Sequence, residues 1–122
     1  MLIRDIHTAS YFTSRDGCTL CELLHPKNEP DLAMDMSLCH AVLSRGERTV
    51  PHRLKGQTEV YYILAGEGRM HVGEGNAVLR PGQTALVPPG AVQWIENIGQ
   101  EDLIFLAICQ PQWTERDEVI LK

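Results

Sequence analysis

Apolar residues along this chain come in short runs cut by glycine, proline or asparagine. Val60-Tyr61-Tyr62-Ile63-Leu64 and Leu103-Ile104-Phe105-Leu106-Ala107-Ile108-Cys109 are the plainest, and both are rich in β-branched and aromatic residues, which suit a pleated surface. The pattern predicts strands over 18–24, 34–43, 60–64, 69–72, 77–79, 84–87, 92–96 and 103–109. Turns fall at Asp16-Gly17, Gly66-Glu67-Gly68, Gly73-Glu74-Gly75-Asn76, Pro81-Gly82, Pro88-Pro89-Gly90 and Asn97-Ile98-Gly99. His25-Pro26 ends the first of these strands, because proline lacks the N–H that a ladder needs. No stretch of ~11 residues within this region carries a helical apolar period, while strands return every ~8–12 residues, so the pattern is that of an all-β sandwich or barrel.

Parity along the strands assigns faces. In 34–43 it groups Met36, Leu38, His40 and Val42, which are expected inside, against Ser37, Cys39, Ala41 and Leu43. Tyr61 shares the parity of Glu59 and is expected to line the interior. Trp94 and Arg53 are expected to face outward, and so is His71, since Met70 and Val72 claim the inner face. The ends frame the barrel: residues 1–33 form an N-terminal β arm or hairpin integrated with it, 34–111 form the barrel, and 112–122 form a tail. Thr114 and Asp117 resemble a capping box and predict one short helix there.

Composition narrows the classes. With 122 residues the chain is expected to be a single domain with its own core. Sixteen acidic and 11 basic residues give a formal charge of −5 without a Lys/Arg cluster, which argues against a nucleic-acid partner. No run approaches the ~18 apolar residues of a membrane span, and the first residues carry no basic leader, so the protein is expected to be cytoplasmic and free of membrane. The four cysteines are read as reduced thiols. Cys18 and Cys21, on one strand, would point to opposite faces and so do not chelate one ion. No serine sits in a nucleophile elbow and no glycine loop opens a helix to cradle phosphate.

Two spaced constellations carry the chemistry. The first is Gly46, five residues, His52-Arg53-Leu54, four residues, Glu59, six residues, Gly66. The second is Gly82, five residues, Pro88-Pro89-Gly90, two residues, Gln93, three residues, Asn97. Their order and intervals resemble the two motifs of the cupins, small jelly-roll barrels, over roughly residues 34–111. The resemblance implies a double-stranded β-helix and a divalent metal (Fe, Mn, Ni or Zn) held by the positions that fall here on His52, Leu54, Glu59 and Gln93. Leu54 cannot ligate, and the Gln93 amide is a weaker donor than imidazole.

His40, expected inside, is the candidate that replaces the lost imidazole, with His25 as a second alternate and Gln93 as a fourth ligand or a partner of bound water. The resemblance, with His40 added from its strand parity, therefore implies His52, Glu59, Gln93 and His40 as metal ligands, and Glu59 with Tyr61 as the groups nearest a reacting atom. Three functions follow: a metal-dependent oxygenase- or isomerase-type enzyme, a metal-free pocket for a small molecule, or a structural cupin. A weakly held cation with a small-molecule ligand is the expectation. A homodimer is also expected, with the Tyr11-Phe12 arm crossing to the neighbour.

Overall fold

A computed structural model describes residues 1–121. Among them the strands are β1 (Phe12–Thr13), β2 (Thr19–Leu24), β3 (Ser37–Leu43), β4 (His52–Leu54), β5 (Thr58–Ala65), β6 (Gly68–Val72), β7 (Gly75–Leu79), β8 (Thr84–Val87), β9 (Gln93–Asn97), β10 (Leu103–Gln110) and β11 (Glu118–Ile120). They form two antiparallel sheets, one in the order β1-β2-β3-β10-β5-β8 and the other β11-β4-β9-β6-β7. The core lies between the sheets, where Leu43, Ile63, Ile95 and Leu103 are wholly buried. Each sheet turns one face to the core, so burial follows the two-residue period of the pleat: Glu59, Tyr61 and Ile63 of β5 point in, and Tyr62 and Leu64 point out.

β3 has the reverse of its expected parity. Ala41 and Leu43 lie in the core, so Leu38, His40 and Val42 face away from it. Local hydrophobicity could not choose, because both faces of this strand carry aliphatic residues. The choice is made by pairing: Ala41 opposes the inward Phe105 of β10, and His40 opposes Leu106. The Tyr11 hydroxyl and His40 Nδ1 are hydrogen-bonded at 2.8 Å, which packs the N-terminal arm on the outer face of β3 at this point.

The tail holds a single 3₁₀ turn, Glu115–Asp117, and then β11, a strand absent from the sequence reading. β11 runs against β4 with Glu118 opposite Leu54, Val119 opposite Arg53 and Ile120 opposite His52. Paired residues share a face, so Glu118 enters the barrel beside Leu54. No helix among the described residues is long and apolar enough to cross a membrane.

Candidate functional site at the barrel mouth

A cavity of about 330 Å³ opens between the sheets where the N-terminal hairpin, β4, β5, β10 and the tail meet. Asp16, His52, Glu59, Cys109, Trp113 and Glu118 are among the residues around it. His52 comes from the start of β4, immediately after Pro51, and pairs with Gln93 of β9 on one side and Ile120 of β11 on the other. Its side chain is 3% exposed. Nδ1 donates to the Val50 carbonyl at 2.7 Å, which fixes that nitrogen as the protonated one and leaves Nε2 directed at carboxylates.

Two of these carboxylates lie outside both motifs. Asp16 belongs to the β1–β2 turn, and its carbonyl accepts the Val50 N–H at 2.7 Å, which ties the turn to the segment that carries His52. Asp16 Oδ1 accepts from Ser14 Oγ and from the Cys18 N–H, and Oδ2 lies 3.5 Å from His52 Nε2. Glu118 Oε2 accepts the Trp113 indole N–H at 3.2 Å. Glu118 Oε1, on a side chain only 7% exposed, has no hydrogen-bond partner; the Arg15 guanidinium stands 3.6 Å away. One ligand atom from each of Asp16, His52 and Glu118 falls within 4.8 Å of the others. Burial, and then the Asp16 charge, raise the pKa of Glu118 above the ordinary glutamate value.

Deeper in, Glu59 on β5 sits between Val87 of β8 and Cys109 of β10. Burial is the main reason its pKa is pushed up to about 7; the charge of His52 and the Gln93 amide pull it back, and Asp16 opposes them. The Tyr61 hydroxyl donates to Gln93 Oε1 at 2.5 Å, and its ring stacks on Phe105. Burial, followed by the Glu59 charge, raises the Tyr61 pKa well above its ordinary value, so Tyr61 is a neutral donor. It acts by holding Gln93.

The structure thus brings His52, Glu59, Gln93 and Tyr61 to one interior, and it does not bring His40, which faces the other way under Tyr11. His25 is also spent: Nε2 donates to the Trp113 carbonyl at 2.7 Å and Nδ1 accepts the Lys27 N–H at 3.1 Å. His71 lies on the outer face, stacked on Trp94 at 4.1 Å between ring centroids, as its parity predicts. All four cysteines are free. Asp16 and Glu118 are the residues that sequence reasoning missed. In the sequence Asp16 reads only as a turn residue, and Glu118 falls in the tail where the capping box predicts a short helix.

The other positions expected to ligate beside His52 and Glu59 offer little to a cation. Leu54 offers no donor, the Gln93 oxygen is engaged by Tyr61, and His40 points elsewhere. At the mouth the His52 imidazole is joined instead by two carboxylates, Asp16 and Glu118, the latter with an oxygen that accepts no hydrogen bond, a donor set that suits a divalent ion.

Comparison with known proteins decides the family, since the cupin-domain family model matches residues 39–109. The chain belongs to the cupin family. An uncharacterized protein of Methanocaldococcus jannaschii is 32% identical to this cupin over 111 residues, 91% of this chain and 87% of that one. An oxalate-binding protein of Thermotoga maritima is 39% identical over 57 residues, 47% of each chain. Among solved structures, a predicted oxalate decarboxylase of Thermotoga maritima superposes on this cupin with a TM-score of 0.78 at 23% identity, over 88% of this chain and 97% of that one, a likeness of fold.

Proposed function

We propose that this cupin binds a small molecule in the barrel cavity together with a weakly held divalent cation, Mn, Fe, Ni or Zn. The observation that carries the reading is His52: buried, oriented through Nδ1 by the Val50 carbonyl, and presenting Nε2 to the cavity. That is the arrangement in which histidines ligate metals. The resemblance to an oxalate-binding protein supports a small oxyanion as the ligand.

The cavity's acidic lining supports a cation as the group that receives an oxyanion. Asp16, Glu22, Glu59, Glu115 and Glu118 face Arg15 and Lys27, and both of these cations already lie beside glutamates. A free dianion is repelled from such a cavity, whereas a chelated one is not. In any turnover Glu59 is the group placed to take or give a proton, and Tyr61 positions Gln93.

Protein stripped with chelator and titrated with MnCl₂ or ZnCl₂ in a calorimeter tests this. The expected result is saturable binding, lost in His52→Ala, with oxalate heat seen only after the cation. Thermal unfolding should then show a gain of about 1.4 kcal/mol at free cation tenfold above Kd. If oxalate or a neutral ligand binds and the cation does not, the pocket is metal-free and His52, Glu59 and Gln93 serve as hydrogen-bonding groups.

A homodimer belongs to the same reading. The outer face of the six-stranded sheet exposes Tyr62, Leu64 and Leu86, an apolar surface suited to a second copy. Sedimentation equilibrium is expected to give a dimer at micromolar concentration; a monomer there counts against it.

A further inference from the structure

The register of β11 on β4 sets Glu118 opposite Leu54, on the same face. Directly opposed side chains have Cβ atoms ~4.5–5.5 Å apart, so the Glu118 carboxylate enters the space that a longer side chain at Leu54 would fill. Across from it, Asp16 Oδ2 stands 3.5 Å from His52 Nε2. That separation is too long for a strong hydrogen bond, but it is close to the ~3.3 Å between donors that share a tetrahedral ion at ~2.0–2.1 Å. The second sign is Glu118 Oε1, which is buried and accepts no hydrogen bond, its neighbour being the Arg15 guanidinium at 3.6 Å; Asp16, His52 and Glu118 each bring one ligand atom within 4.8 Å of the others.

We propose that the cation of this cupin binds at the barrel mouth, with His52 Nε2, Asp16 Oδ2 and Glu118 Oε1 as its protein ligands. The cation itself rests on the functional reading above; the ligand set is new. Two of the three ligands come from the hairpin turn and the C-terminal strand, outside both motifs, and Glu118 supplies the donor that Leu54 lacks. The remaining carboxylate oxygens are already committed, Asp16 Oδ1 to Ser14 and Cys18, and Glu118 Oε2 to Trp113. These contacts orient the free oxygens, as outer partners of metal ligands do.

Arg15 Nη1, 3.6 Å from Glu118 Oε1, also donates to the Glu115 and Glu118 carbonyls, so a cation bound to Oε1 takes the side of the carboxylate turned to His52 and Asp16 and competes with the Arg15 charge. Three protein ligands leave open positions toward the cavity, where a chelating oxyanion can complete the shell. One imidazole with two carboxylates favours Mn²⁺, Fe²⁺ or Zn²⁺ over a soft ion.

Calorimetric titration of the full chain with MnCl₂ separates the ligand sets. Asp16→Asn and Glu118→Gln are each expected to weaken Mn²⁺ binding by about tenfold or more, and Glu59→Gln by less than either. If Glu59→Gln is the most damaging while the other two bind like wild type, the site is wrong and the cation reading stands. If wild type binds neither Mn²⁺ nor Zn²⁺, both fall.

A measurement without substitutions guards against misfolded variants. Mn²⁺ added to isotope-labelled wild type should first broaden the amide signals of Asp16, Gly17, Glu118 and Val119. Broadening centred on Glu59, Val87 and Gln93, with those four spared, overturns the proposal.

Discussion

Gly66→Ala is expected to destabilise the barrel by about 2–5 kcal/mol, read as a lowered denaturant midpoint with an unchanged slope. Gly66 follows β5 at φ +82°, and a Cβ built there would lie 2.6 Å from the Asp102 carbonyl oxygen and 3.0 Å from Leu103 Cα. Both are backbone atoms, one just before and one at the start of β10, the strand that pairs with β5, so neither can swing aside. The left-handed conformation costs ~1–2 kcal/mol with a side chain, and forcing the strands apart adds ~1–3 kcal/mol. Gly46 supplies the control. It too has a positive φ, +81°, but nothing lies within 4 Å of its missing Cβ, so Gly46→Ala should show the conformational cost alone. Equal losses in the two variants would mean that close approach to β10 is not what Gly66 serves.

The same contrast between local and distant causes explains what could be read from the chain. Glu59, Tyr61 and Gln93 were legible because motif intervals place Glu59 and Gln93 near strand starts and Tyr61 shares the parity of Glu59 on one strand. Trp94, Arg53 and His71 followed by the same parity. β3 misled, since Leu38 and Val42 on one face are as apolar as Ala41 and Leu43 on the other, and the pairing with β10 settles which face is inside.

Glu118 was out of reach for a related reason. Three residues, Glu118-Val119-Ile120, alternate too briefly to declare a strand, and their place beside His52 and Leu54 arises from contacts across more than sixty positions of the chain. Asp16 carried a turn signal that was correct, with Gly17 at φ +91°, but the signal says nothing of what the turn leans on. Of the three side chains gathered at the barrel mouth, only His52 is therefore marked by motif spacing in the sequence.

With cation removed, stability is expected to fall as pH rises from about 4.5 to about 7, and Glu59→Gln should flatten that slope. The folded Glu59 holds its proton up to about pH 7, whereas the unfolded chain releases it near its ordinary value of 4.5. Within that window the native state binds more protons than the unfolded state, so unfolding releases a proton and rising pH favours it. Below the window both states are protonated and Glu59 contributes nothing; above it both are ionised and the buried charge has its full cost. At ~1.4 kcal/mol per unit the difference approaches roughly 3 kcal/mol.

Asp5 and Asp117 act in a separate range, because their pKa values are lowered from 3.8 by hydrogen bonds to His7 and to Thr114 and Gln57, so what they contribute is lost only under more acid conditions. Urea unfolding of chelator-treated protein at pH 5, 6 and 7.5 measures the slope. If Glu59→Gln leaves it as steep as in wild type, the titrating group is elsewhere; Glu118, raised in the same direction by its own burial, is then the carboxyl to replace next.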